Sequence, residues 1–232
     1  MSVKGYEFNI QQLHAVATAL GELNKEITYV GGATTALLVP EVARAGTRRT
    51  EDVDVLIDVL SRAEYYRFCD DLRAKGFIED TSDTAVICRW LAPTKLGRVQ
   101  VDVMPTDSEI LGFSNRWYKQ AIELADEVTL ASGIIIRVAS APYFLATKLE
   151  AFKGRGAGDY FSHDLEDLMF VLENRDRLVI ELMDCDQELK SYLADEMKVL
   201  LNDEFLNVLP GLLNNPNAAK GVEQTLRLIS RW

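Results

Sequence analysis

Little in this sequence invites thiol chemistry or soft-metal binding. Its 232 residues include three cysteines and two histidines. Cys69, Cys88 and Cys185 are odd in number and far apart, so they supply neither a disulfide framework nor a thiolate metal site, and a reducing compartment is expected. His14 and His163 lack metal-ligand spacing and have no cysteine partner nearby, which sets aside zinc binding and Cys–His catalysis. No apolar run approaches the roughly 18–20 residues of a membrane span, and the opening MSVKGYEFNI lacks the charged-then-apolar pattern of a secretory signal. A cytoplasmic protein with no membrane association is expected. Internal repeats are absent, and the one conspicuous flexible stretch is Gly154-Arg155-Gly156-Ala157-Gly158.

Positive charge is also scarce. Lys and Arg total 25 against 36 Asp and Glu, a formal net charge of −11. That balance argues against broad attraction to a phosphate backbone, leaves room for a local basic patch, and fits a site that concentrates cations. With 48% hydrophobic residues the chain can bury one sizeable core or two modest ones, and a compact two-part protein is expected.

Periodicity supplies the elements. Residues 8–23 carry Ile10, Leu13, Val16, Leu20 and Leu23 at helical spacing. Ile27-Thr28-Tyr29-Val30 reads as a strand, Gly31-Gly32 as a turn, and the residues after it as a helix start closed by Pro40. After a basic loop over residues 44–50, Val53, Val55 and Ile57 alternate with Asp52, Asp54, Leu56 and Asp58, the period of a strand with two chemically distinct faces. Ser61 caps a helix that ends at Gly76. Residues 84–91 and 98–104 read as strands of an antiparallel hairpin turning over residues 93–97, and residues 134–138 as one more strand. From Pro142 onward the pattern is helical, including residues 143–152 and 163–172.

The carboxylates carry the chemistry. Residues two apart on a strand share a face, so Asp52 and Asp54 can reach one cation or a close pair. Asp102, alternating with Val99, Val101 and Val103, offers a third carboxylate from a neighbouring strand. Mg²⁺ prefers oxygen ligands, and two such ions about 3.5–4 Å apart clamp the attacking and leaving oxygens of an in-line displacement. Asp102 also suits a general base that draws the proton from an acceptor hydroxyl. Taken alone, each Asp-x-Asp equally describes the solvated face of an edge strand, and Gly31-Gly32 an ordinary tight turn. Their order along the chain is more specific, because bare glycine amides at a helix start bind phosphate oxygens.

Gly31-Gly32, then Arg49-Thr50-Glu51-Asp52-Val53-Asp54, then Val101-Asp102-Val103 resembles the DNA polymerase beta-like nucleotidyltransferase superfamily. Lys148 to Gly156, followed by Ser162-His163-Asp164-Leu165-Glu166-Asp167-Leu168, is similar to the second-domain signature of its AbiEii/MenT toxin-like group, and the likeness then spans residues 30–172. The resemblance implies an α+β fold, with a mixed sheet and flanking helices forming a catalytic domain over residues 1–140 and a helical domain over 141–232. It implies Asp52, Asp54 and Asp102 as ligands of Mg²⁺, Lys148 and Asp164 as further catalytic residues, and an NTP donor contacted by Gly31, Gly32, Thr34, Thr35 and Arg49. The superfamily often has Gly-Ser where this chain has Gly31-Gly32, which leaves phosphate contact to Thr34, Thr35 or backbone amides. Lys148 also fits an exposed helix position, and Asp164 and Asp167, after the N-cap candidate Ser162, also fit a helix start stabilised by its dipole.

The group's known members modify tRNA acceptor ends and are neutralised by a cognate antitoxin, so tRNA and an antitoxin are the implied partners. The charge of −11 favours a different acceptor, a cationic small molecule of the antibiotic type. A catalytically idle binding module on the same fold is the third reading.

Overall fold

In a computed structural model the described residues are 5–59, 61–83, 85–156 and 158–232. Helix α1 (Gly5–Leu20) buries Leu13, Val16, Ala17 and Leu20 at the expected spacing, but it ends earlier than its apolar pattern. Gly21, with a positive φ, opens a 3-10 segment over Gly21–Lys25. Strand β1 (Ile27–Val30) follows, buried along its whole length.

The glycine turn leads into a 3-10 segment, Gly32–Leu37, rather than an α-helix. A second 3-10 segment, Glu41–Gly46, precedes β2 (Asp52–Ile57). Helix α2 (Arg62–Ala74) is capped by Ser61, whose hydroxyl accepts from the Glu64 amide, and packs Tyr65, Phe68, Cys69 and Leu72 inward.

Strands β3 (Ile78–Glu79), β4 (Arg89–Thr94) and β5 (Gly97–Pro105) come next. The hairpin is antiparallel, but its turn is only Lys95-Leu96, with Thr94 paired to Gly97 and Pro93 to Arg98. Pro93 is tolerated inside the strand because β3 is too short to reach it, so its missing amide costs no ladder bond. β4 starts later than its apolar pattern: Thr84 lies outside the described residues, and turns closed by Ala85 N–Ser82 O and Arg89 N–Val86 O occupy the segment before Arg89.

The short helices α3 (Ser108–Leu111) and α4 (Tyr118–Glu123) lead to β6 (Asp126–Thr129) and β7 (Ile135–Val138). The sequence pattern had not marked α3, α4, β3 or β6. The remaining chain is helical: α5 (Ala141–Gly156), α6 (His163–Asn174), α7 (Leu178–Met183), α8 (Gln187–Leu200), α9 (Asp203–Leu212) and α10 (Ala219–Ile229). Pro210 sits within α9 rather than ending it.

Among the described residues the strands form one mixed sheet in the order β3-β4-β5-β2-β1-β7-β6. β2 runs parallel to β5 and β1 parallel to β7, while the remaining neighbours are antiparallel. The fold is α+β, a mixed sheet with flanking helices and a helical C-terminal portion. One hydrophobic core runs from Leu13 and Val55 through Phe144 and Leu165 to Leu226. Trp117 is fully buried at its centre, its ring 6.2 Å from Tyr143 and 5.0 Å from Tyr192. No helix among the described residues is long and apolar enough to cross a membrane.

Candidate active site

The parallel pairing of β2 and β5 sets Asp54 directly beside Asp102, with Asp52 opposite Gln100. The intervening Val53, Val55, Val101 and Val103 point to the other face and are fully buried there. All three aspartates therefore rise from one patch of sheet into a cleft of about 420 Å³. The far wall is helical: Lys148 and Arg155 come from α5, Asp164 and His163 from the start of α6.

Gly31 closes the floor. Its φ is +76°, and a Cβ there would lie 1.9 Å from Asp54 Oδ2, so only glycine allows the Asp54 carboxylate its position. The 3-10 turn that follows has a consequence for the threonines. Thr34 is buried and donates its hydroxyl to the Gly31 carbonyl at 2.8 Å, and Thr35 is buried with its hydroxyl unpaired. Both are buried and neither lines the cleft, away from the phosphate contact that the resemblance implies for them.

Arg49 is also turned away. It pairs with Glu51 and stacks on Phe8, 3.6 Å from the ring centroid, on the outer side of the chain. Its neighbour Arg48 enters the cleft instead, because adjacent residues of an extended chain point in opposite directions. The register is held from α1. Asn9 donates to the Arg48 carbonyl at 2.9 Å and accepts from the Thr50 amide at 3.1 Å, while Gly5 lets the helix approach, since a Cβ there would lie 2.5 Å from the Thr47 carbonyl oxygen. Thr50 in turn donates to Asp52 Oδ1 at 2.8 Å.

Behind the cleft runs an ionic chain. Lys148 Nζ lies 3.0 Å from Asp164 Oδ1 and 2.8 Å from Asp167 Oδ2. Asp167 is 1% exposed and also takes both arms of Arg48, at 2.8 Å each. Arg155 reaches Asp164 from the rim at 2.8 Å. Burial pulls the Lys148 ammonium down, but Asp167 and Asp164 outweigh it and hold the group above its ordinary range. Burial likewise pushes Asp164 up, and Lys148 and Arg155 together bring it below the usual carboxylate range.

Asp54 behaves differently. Burial, then the charges of Asp52 and Asp102, push its carboxyl up to about 7, with Lys148 and Arg155 only partly offsetting them. Among the described residues no donor reaches its oxygens. The other two carboxylates already hold a cation, the guanidinium of Arg89, with Nε 2.7 Å from Asp102 Oδ1 and Nη2 3.0 Å from Asp52 Oδ2. No three acidic, histidine or cysteine side chains among the described residues are gathered into a metal-ligand set. The donors nevertheless fit a hard divalent cation: they are carboxylate oxygens, they share a face, one carboxylate meets no donor among the described residues, and a positive group already occupies the space between the others. Arg89 had not been singled out from sequence as a site residue.

No protein-family model matches the chain, and no curated protein matches it. Among solved structures it is similar to an antigenic nucleotidyltransferase-like protein from Paracoccidioides brasiliensis, at 18% identity over 87% of this chain and 91% of that one, with a TM-score of 0.53. The sheet and its flanking helices therefore share the fold of that nucleotidyltransferase-like protein.

Proposed function

We propose that the chain transfers a nucleoside monophosphate from an NTP to an acceptor hydroxyl, with Asp52, Asp54 and Asp102 holding Mg²⁺. The observation that carries this reading is the pairing of Asp54 with Asp102 on adjacent parallel strands, with Asp52 two residues away, facing Lys148, Arg48 and Arg155 across one cleft. When bound, the metal supplies charge stabilisation for the attacking and leaving oxygens. The residues of the chain supply the rest. Gly31 and Gly32 line the floor, Gly31 packed under Asp54 and Gly32 under the Arg48 guanidinium that would meet phosphate. Lys148, fixed by Asp164 and Asp167, and Arg155 at the rim present positive charge where the leaving diphosphate accumulates negative charge. Asp102, beside Asp54 on the adjacent strand, is the residue assigned to take the acceptor's proton.

The acceptor in this reading is tRNA, acted on in the cytoplasm by a toxin that a cognate antitoxin restrains. The likeness of residues 30–172 to the AbiEii/MenT group supports it, and the exposed Arg155 at the cleft rim offers a contact for an RNA phosphate. A small cationic acceptor is the second reading, favoured by the net charge of −11. The test is incubation with each α-labelled NTP, magnesium and total tRNA, beside Asp52→Ala. Label in tRNA with the intact chain alone supports the first reading. Magnesium-dependent NTP turnover with unlabelled tRNA moves the acceptor to a small molecule, and equal labelling by Asp52→Ala removes the assigned site.

A further inference from the structure

Arg89 is the first residue of β4 and lies directly opposite Asp102 of β5. Residues directly opposite in an antiparallel pair share a face, so the ladder itself delivers this guanidinium onto the acidic patch. It engages Asp102 with two parallel bonds, Nε to Oδ1 at 2.7 Å and Nη2 to Oδ2 at 2.8 Å, and reaches Asp52 Oδ2 with Nη2 at 3.0 Å. Only 16% of the side chain is exposed. The Asp102 hydrogen bond is the chief reason the guanidinium is held above its ordinary range, so the pair is tightly matched.

We infer that Arg89 is a built-in counter-cation that competes with a divalent metal for Asp52 and Asp102, so that loading the metal requires the guanidinium to leave them. The inference rests on the metal-binding reading of the three aspartates. Both oxygens of Asp102 and one oxygen of Asp52 are occupied by Arg89, and the other Asp52 oxygen accepts from Thr50. A divalent ion needs those oxygens at about 2.0–2.1 Å and would stand against a full positive charge a few ångströms away. Val86 and Ile87 ahead of it are exposed, but Cys88 is buried and the Cys88 and Arg89 carbonyls accept from the Val103 and Asp80 amides, so the backbone stays paired and withdrawal is a rotation of the Arg89 side chain alone. A purely architectural ion pair makes the opposite prediction, since its loss would disorder the carboxylates and weaken metal binding.

The test is Mn²⁺ titration of the full chain without nucleotide, followed by calorimetry, on the wild type, Arg89→Gln, Arg89→Lys and the double variant Arg89→Gln/Asp54→Asn. Loss of one charge-assisted contact corresponds to roughly tenfold or more, so Arg89→Gln is expected to tighten the Mn²⁺ Kd by about that factor. Arg89→Lys keeps the charge without the fork and is expected to fall between the two. In the double variant the gain is expected to disappear. Equal or weaker binding by Arg89→Gln overturns the inference while leaving the metal reading intact. A gain that survives Asp54→Asn also overturns it, by locating the ion elsewhere. Absence of Mn²⁺ binding by every variant removes the metal reading and the inference together. If Arg89→Gln shows no cooperative melt, Arg89→Lys decides: tighter binding than wild type supports competition, and unchanged binding overturns it.

Discussion

Lys148 and Asp167 meet at 2.8 Å, and the same aspartate grips Arg48 with both oxygens. One buried carboxylate therefore bridges two cations that line the cleft, and Asp164 supplies Lys148 with a second negative charge. Asp167→Asn is expected to destabilise the chain by about 3–5 kcal/mol, the range for removing one partner of a buried ion pair, read from denaturant unfolding at unchanged slope. Asp164→Asn should cost less, because Lys148 keeps Asp167 as a partner and Arg155, 73% exposed, can turn to solvent.

Asp54 gives the fold a specific pH dependence. Its folded value is raised to about 7, above the ordinary aspartate range, so the folded state holds the proton longer than the unfolded chain. Stability from this group is full at pH below the unfolded value and is lost as pH rises toward and through about 7. Asp54→Asn should therefore raise the melting temperature of the metal-free protein at pH 8, by roughly 2–8 °C after allowing for solvent in the cleft, and give little gain at pH 5. Thermal scans of both proteins at the two pH values check the sign.

Gly31 admits no side chain. Gly31→Ala forces a Cβ onto Asp54 Oδ2 and places an alanine at φ +76°. The expected result is a loss of at least about 1–2 kcal/mol together with weaker Mn²⁺ binding, since the carboxylate must move. Gly97→Ala is the informative control, having a positive φ but open space for its Cβ. It should lose stability and keep the metal affinity.

Asn9 makes a fourth test. Its amide holds the Arg48 carbonyl and the Thr50 amide, so Asn9→Ala leaves two buried backbone groups unpaired, at a cost of about 1–3 kcal/mol. The same variant should lower nucleotidyl transfer more than the stability loss explains, because the segment that aims Arg48 and Asp52 loses its register. Activity measured well below the melting temperature separates the two effects.

What the sequence revealed of this cleft, and what it hid, follow from the range of each signal. Strict alternation placed Asp52 and Asp54 on one face and turned Asp102 away from its flanking valines, because a two-residue period needs no knowledge of neighbours, while the meeting of Asp54 with Asp102 depended on the β2–β5 register. Lys148 and Asp164 came from the resemblance of residues 148–168 to a second-domain signature, since helical spacing and the N-cap serine fit an ordinary surface helix equally well. The choice of Arg48 over Arg49 was not legible, since choosing between two adjacent arginines in an extended loop depends on Asn9, some 40 positions earlier, and on the close approach at Gly5. The phosphate contact of Thr34 and Thr35 came from the same resemblance, and the glycine signal does not distinguish the 3-10 segment in which both are buried from an α-helix start. Arg89 depended on the β4–β5 register, which Pro93 obscured by sitting inside a strand rather than in the turn.

The Arg48–Asp167 bridge joins positions 119 residues apart. Contacts of such separation form late, because the intervening chain must be ordered before they reward its closure. As the chain emerges from the ribosome, the strands bearing all three aspartates are complete well before α6 arrives to supply Asp167 and the other half of the back wall. The order of synthesis thus acts as a delay: the carboxylates exist first, and the positive wall that turns them into a site is added only when α5 and α6 have been made.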